Sequence, residues 1–104
     1  MYIKFIDYKV EKFIATLEKT TISKILRTLD LLRQFGNQIG MPHSKKIKNQ
    51  LFELRIKGSQ EVRIFYTFRK DTATLLHGFL KKSKRIPPNE IKIACQKIKT
   101  LDTK

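Results

Sequence analysis

Two runs of alternating residues near the middle of the chain restrict its fold more than any other feature. In residues 51–57, Phe52, Leu54 and Ile56 alternate with Glu53, Arg55 and Lys57. In residues 62–68, Val62, Ile64, Tyr66 and Phe68 alternate with Arg63, Phe65 and Thr67. A period of two puts each apolar set on one face of an extended strand. Gly58, Ser59 and Gln60 lie between the runs as a hairpin loop. A three-residue loop pairs 56 with 62, 54 with 64 and 52 with 66, so each apolar position meets another. A two-residue loop would set apolar positions against charged ones and turn one strand over. The three-residue register is therefore expected.

That register sets Arg55 across from Arg63 and Glu53 across from Phe65, on the face turned away from the core. Like charges directly opposite in a sheet are destabilising. Such a pair persists where both guanidinium groups are solvated on a wet face, or where an anion sits between them. Guanidinium forks match the geometry of a phosphate, which makes the pair suited to gripping one. Tyr66 falls on the core side.

Residues 74–82, TLLHGFLKK, form a further strand whose almost continuous hydrophobicity points to burial on both faces. Lys81, Lys82, Ser83, Lys84 and Arg85 lead away from it, and Pro87 and Pro88 break the chain before a last helix with the stripe Ile91, Ala94, Cys95, Ile98 and Leu101. Upstream, Tyr2 to Ile6 is a short strand. Val10, Phe13, Ile14 and Leu17 then follow a helical period, and a second helix, capped by Thr20 or Thr21, carries Ile22, Ile25, Leu26, Leu29, Leu32 and Phe35 before Gly36 and Gly40. Two amphipathic helices with almost no linker form a helical hairpin whose apolar faces need a sheet to cover.

The chain carries 23 Lys and Arg against 9 Asp and Glu among 104 residues, a formal net charge of +14. Residues 43–85 hold 12 of the basic side chains and 3 of the acidic ones, so most of the imbalance is concentrated there. A field of this sign attracts nucleic acid, an acidic protein or an anionic membrane surface. At 40% hydrophobic residues the composition is that of a folded domain rather than a disordered tail. No stretch approaches the roughly 20 apolar residues that span a bilayer, and MYIKFIDYKVEKF is too charged for a secretory signal. Cys95 is the single cysteine, which excludes an internal disulfide; its place in the last helical stripe makes it a core thiol and favours a cytoplasmic setting.

The strings LFELRI, VRIFY and LLHGFLKKSKRIP, followed by the helix EIKIACQKI, are the most distinctive part of the chain. With the order strand, two helices, three antiparallel strands and helix, the chain resembles the RelE/ParE superfamily of toxins from type II toxin–antitoxin modules, in particular the HigB-like phage-derived branch. The resemblance implies one α+β domain over residues 1–104, RelE-like, with a small antiparallel sheet joined by the N-terminal strand, a helical hairpin and a C-terminal helix. It also implies a metal-independent, ribosome-dependent endoribonuclease that needs no cofactor. Its partners would be the ribosome, mRNA and a cognate antitoxin of the helix-turn-helix, HigA-like kind. A ParE-like inhibitor of DNA gyrase and a non-catalytic basic nucleic-acid-binding module are the alternatives.

In such a nuclease the 2′-hydroxyl attacks the adjacent phosphorus, and the site must supply a base, an acid and positive charge aimed at the phosphorane. Matched position by position, the resemblance implies Glu53 as base, with a surface glutamate that neutralises nearby cations as the alternative. It implies Arg55 and Arg63 as phosphate binders and Lys82 at the leaving oxygen. His77 offers an acid, although its mid-strand position favours a histidine satisfied within the sheet. Lys45, Lys46, Lys48, Lys57, Lys81, Lys84 and Arg85 form the expected docking surface for RNA, with His43 in a proline-containing loop nearby. Some relatives place a tyrosine in or near the last helix; here the tyrosines stand at positions 2, 8 and 66.

Overall fold

The computed structural model describes residues 1–103. Strands β1 (Tyr2–Phe5), β2 (Ser44–Lys48), β3 (Leu51–Ile56), β4 (Val62–Arg69) and β5 (Thr72–Leu80) form one sheet in the order β1-β5-β4-β3-β2. β1 runs parallel to β5 and the other neighbours are antiparallel. Helices α1 (Tyr8–Ala15), α2 (Lys19–Phe35) and α3 (Pro88–Asp102) complete a small α+β fold, compatible with a RelE-like one. Among the described residues no helix is long and apolar enough to cross a membrane.

The β3–β4 register is the one that alternation demands: Ile56 pairs with Val62, Leu54 with Ile64 and Phe52 with Tyr66, with Arg55 opposite Arg63. One face of the sheet is covered by α1 and α2, where Val10, Ile25, Leu29 and Leu32 bury against Leu54, Ile64, Tyr66 and Leu75. The Tyr66 hydroxyl, which would otherwise be stranded in this core, shares a 2.7 Å hydrogen bond with the Ser44 hydroxyl.

The other face is not wet. Leu51, Phe65, Leu76 and Phe79 form a second core under Ala94 of α3, joined by Ile86, Ile91, Cys95 and Ile98. The solvated face expected around Arg55 and Arg63 is thus corrected. Its apolar members, Phe65 above all, pack under the last helix, and Arg63 on the same face is buried too. Cys95 is half-buried at the rim of this core rather than sealed within it.

A bulge explains why β5 has no clear alternation. Tyr66 pairs with Leu75 but Phe65 pairs with His77, which leaves Leu76 as an extra residue. The consecutive leucines consequently serve opposite cores, Leu75 under the hairpin helices and Leu76 under α3. The strand spans 72–80 rather than 74–82, so Lys81 and Lys82 lie beyond its end.

Three further expectations are revised. β2 adds a fourth strand to the antiparallel group; its lysines mark it as a guarded sheet edge. α2 starts earlier than a threonine cap would allow, after Glu18, whose peptide N–H donates to Gln60 Oε1 at 3.0 Å while Ser59 Oγ donates to Glu18 Oε1 at 2.7 Å. The β3–β4 turn thus anchors the start of the helix, which has no capping side chain of its own. Thr21 and Thr28 take buried places, whereas Leu26 and Phe35 face outward.

Gly78 faces α1 so tightly that a Cβ there would lie 2.7 Å from Phe13 Cδ2 and 2.9 Å from Cε2. Gly78→Ala should cost about 1–3 kcal/mol through overpacking. That lowers the melting temperature by roughly 5–20 °C for a domain of this size. Thermal circular dichroism should show Phe13→Leu in the same chain recovering part of the loss. An unchanged melting temperature would show that the ring moves aside freely.

Candidate functional site

Alternation places Glu53, Arg55 and Arg63 on one face of adjacent central strands, the face on which α3 packs. Arg63 is 1% exposed and Glu53 3%, while the Arg55 side chain keeps 17% exposure. The Glu53 carboxylate lies between the guanidinium groups, with Oε1 3.7 Å from Arg55 Nε and Oε2 3.9 Å from Arg63 Nε. These separations neutralise charge but exceed hydrogen-bond length. The Coulombic repulsion of the cross-strand arginines is offset by an anion between them, and that anion belongs to the chain.

Hydrogen bonding remains incomplete in this cluster. Arg63 Nη1 donates to Glu61 Oε2 at 3.2 Å and to the Val62 carbonyl at 3.1 Å. Arg55 Nη1 reaches only the Met41 thioether, a weak acceptor, at 3.4 Å. Glu53 Oε2, Arg55 Nε and Arg63 Nε are buried without a partner, and they are the three such side-chain atoms among the described residues. Each unmet buried group costs about 1–3 kcal/mol. The two arginine Nε atoms are donors left without an acceptor, and Glu53 Oε2 is an acceptor left without a donor.

The peptide N–H of Lys81 donates to the Glu61 carbonyl at 2.8 Å, which brings the end of β5 beside the start of β4. Glu61, Lys81, Lys82 and Lys84 then line a shallow depression of about 370 Å³. Lys82 shares this depression with Glu61, the carboxylate that pairs with Arg63. Arg85 is exposed in the same loop. Lys45 lies directly across from Glu53 on β2, while Lys46 lies across from Phe52 and so belongs to the opposite face. Lys48 is exposed at the end of that strand and Lys57 in the turn after β3.

His77 is satisfied within the fold. Its Nε2 lies 2.9 Å from Glu90 Oε1 on α3, and its ring stacks on Phe79 at 5.9 Å between centroids. His43 stands next to the cluster, its carbonyl accepting from the Arg55 peptide N–H at 2.9 Å. Among the described residues no group of three His, Cys, Asp or Glu side chains is placed to hold a metal ion.

Two ion pairs tie the C-terminal half of α3 to the rest of the fold. Arg69 grips Asp102 through Nε and Nη2, both at 2.7 Å, and Asp7 Oδ2 lies 3.1 Å from Lys97 Nζ. The hydrogen bond from Arg69 holds the Asp102 carboxyl below its usual 3.8. Burial pushes Asp7 upward, but the hydrogen bond and charge of Lys97, with the N–H of Lys9, outweigh it and leave the group lowered from 3.8. Both folded values are depressed, so their stabilisation is complete above the ordinary carboxylate range and disappears as pH falls through the lower folded values.

Glu61, Lys24 and Arg27 are the functional candidates that motif reasoning missed. Glu61 precedes Arg63 by two, so the strand period alone could have placed both on one face. Lys24 and Arg27 lie three apart on α2 and share a helix face by the same logic.

A family model described as Phage derived protein Gp49-like (DUF891) matches residues 12–99 of the chain. The match takes in the end of α1, all of α2, every strand of the arginine cluster and most of α3. A comparison with curated proteins finds no match.

Glu53→Gln should destabilise the fold by about 3 kcal/mol, because it leaves two buried guanidinium groups without their counter-charge. Urea unfolding measures this, and a loss below about 1 kcal/mol, the scale of an exposed pair, would mean that water already screens the cluster. In a second series, the stability of the Asp7→Asn, Asp102→Asn double variant should approach that of the parent as pH falls from 6 to below 3.8. A stability difference that persists unchanged through that range would remove the two carboxylates as the cause.

Proposed function

We propose, for a chain that belongs to the Gp49-like family of phage-derived proteins, that it is the toxin of a type II toxin–antitoxin module. In this proposal it is a RelE-like, HigB-type endoribonuclease that cleaves mRNA on the ribosome. The observation that carries the proposal is the paired arginine cluster, with its three buried unpartnered polar atoms at the lysine-rich end of a sheet. Family membership supports a toxin-like role; the cluster supports phosphate as the group it acts on.

In the proposed mechanism RNA approaches over β2 and the 81–87 loop, attracted by Lys45, Lys81, Lys84 and Arg85. The scissile phosphate meets Arg63 and Arg55, whose forks donate to its non-bridging oxygens as negative charge builds in the phosphorane. As the 2′-oxygen bonds to phosphorus its proton passes to solvent water. The bond from phosphorus to the 5′-oxygen breaks to leave a 2′,3′-cyclic phosphate, and Lys82 neutralises the leaving 5′-oxygen, which takes its proton from water. Glu53, buried between the arginines, is a positioning carboxylate that fixes the aim of both guanidinium groups. Geometry takes precedence over residue type for a general base, so this departs from the base role that the family resemblance implied. A cognate antitoxin of the helix-turn-helix kind, acidic on its contact face, would block the reaction by covering this end of the sheet.

The test is translation-dependent mRNA cleavage by purified toxin and ribosomes. Arg63→Lys keeps the charge and loses the fork, and it should slow cleavage by roughly 100- to 1,000-fold, the scale of one removed transition-state donor. Lys82→Ala, on an exposed residue, should slow cleavage with no change in melting temperature. Full activity in both variants would sink the assignment. Growth arrest with double-strand DNA breaks and intact mRNA would favour the gyrase-inhibitor alternative.

A further inference from the structure

We propose that the groove between α2 and the start of β2 is a second anion site, which seats the phosphate of a neighbouring nucleotide in single-stranded RNA. The groove has a volume of about 260 Å³. Lys24 and Arg27 of α2 enter it from one side, Arg55 and Lys57 from the other, and His43 stands at its rim. No carboxylate lines it, and of its four permanent cations Arg55 alone has a carboxylate within 4 Å, that of Glu53 outside the groove.

These cations are poorly occupied by the fold. Arg27 makes no hydrogen bond or ion pair among the described residues, Lys24 donates to the Lys57 carbonyl at 3.0 Å, and Arg55 meets only the Met41 thioether and the distant Glu53 carboxylate. Like charges gathered in this way repel, and a phosphate between them replaces repulsion with charge-assisted hydrogen bonds. Leu31, Pro42 and Ile56 supply an apolar floor. A groove that joins cations to apolar surface suits a nucleotide, with the phosphate on one part and the base or ribose on the other. Its volume falls below the roughly 300–1,000 Å³ of whole-ligand pockets, which fits one nucleotide unit better than a free cofactor.

Arg55 belongs to both sites. Its Nε side faces Glu53 and Arg63, and its Nη1 end faces Met41 beside the groove. A strand whose scissile phosphate lies on the arginine cluster therefore carries its next phosphate toward Lys24 and Arg27. The proposal takes the identity of its ligand from the proposed function, but the binding itself does not require cleavage.

The test measures anisotropy of a labelled, short 2′-O-methyl oligoribonucleotide, which cannot be cleaved, across a salt series. Arg27→Gln should make the slope of log affinity against log salt shallower by about 0.7, the value for one phosphate contact on a single strand. Lys24→Gln should act similarly. Lys4→Gln, which removes the same charge from the opposite edge of the sheet, should leave the slope unchanged. An unaltered slope in Arg27→Gln would overturn the proposal, as would an equal effect in Lys4→Gln. Titration with free 5′-UMP separates the other source of the same chemistry. If the mononucleotide binds wild type as tightly as the oligomer and loses affinity in Arg27→Gln, the groove is a free-nucleotide site and the strand path is wrong. Because the oligomer is inert, a positive result stands even if the chain proves not to be a nuclease.

Discussion

The arrangement at the centre of this protein depends on one cross-strand juxtaposition, Arg55 against Arg63, with a single carboxylate between them. The hairpin register cannot relax this contact. A shift by one residue would carry Leu54, Ile56, Val62 and Ile64 out of the core under α1 and α2. The apolar face therefore holds two cations together on the other face, and Glu53 is the chain's answer to their repulsion. Its oxygens sit at 3.7 and 3.9 Å, close enough to neutralise and too far to complete the hydrogen bonds. The core thus sets up an electrostatic demand that the fold meets only in part.

Burial raises that demand. If this face were solvated, water would satisfy the guanidinium groups and the cluster would have little claim on a ligand. Phe65 and Phe79 instead draw α3 and the 81–87 loop across the sheet, and the Arg69–Asp102 and Asp7–Lys97 pairs hold the C-terminal half of the helix while Glu90 near its start meets His77. Arg63 is enclosed as a consequence. In this low-dielectric setting its remaining donor capacity is worth more to an anion than the same arginine would be on the surface. Packing on α3 and the proposed chemistry are therefore linked: a change that loosens the helix admits water and weakens the grip on phosphate.

Some of this was legible in the residues and some was not. The β3–β4 register followed from period-two alternation on both sides of a short loop, which is why the arginine pair and Glu53 could be placed opposite and adjacent. The faces of β5 could not be read, since the bulge at Leu76 breaks the period that such a reading needs. β2 was hidden because Ser-Lys-Lys-Ile-Lys has the composition of a solvated charge run; it becomes a strand by pairing with β3 at the sheet edge. The enclosure of Arg63 and Glu53 was also hidden. Residue pattern marks a face as polar, but whether a helix arriving from the far end of the chain will cover it is a tertiary matter. The neighbours of Lys24 and Arg27 were obscured for the same reason, since the groove exists only where α2, β2 and β3 meet.

The groove and the arginine cluster share Arg55, and this makes their occupancies interdependent. A phosphate in the groove draws the Nη end of Arg55 away from the Met41 thioether, while Glu53 continues to hold its Nε side. The guanidinium then has an acceptor at one end and a counter-charge at the other, and loses freedom before the scissile phosphate arrives. Ordering one shared side chain in advance lowers the cost of the second contact, which is positive coupling without a change of fold. A lone nucleotide engages one half of this arrangement, whereas a strand engages both. The proposed preference for a polymer over a monomer would then arise from the position of one arginine between two incompletely satisfied sites.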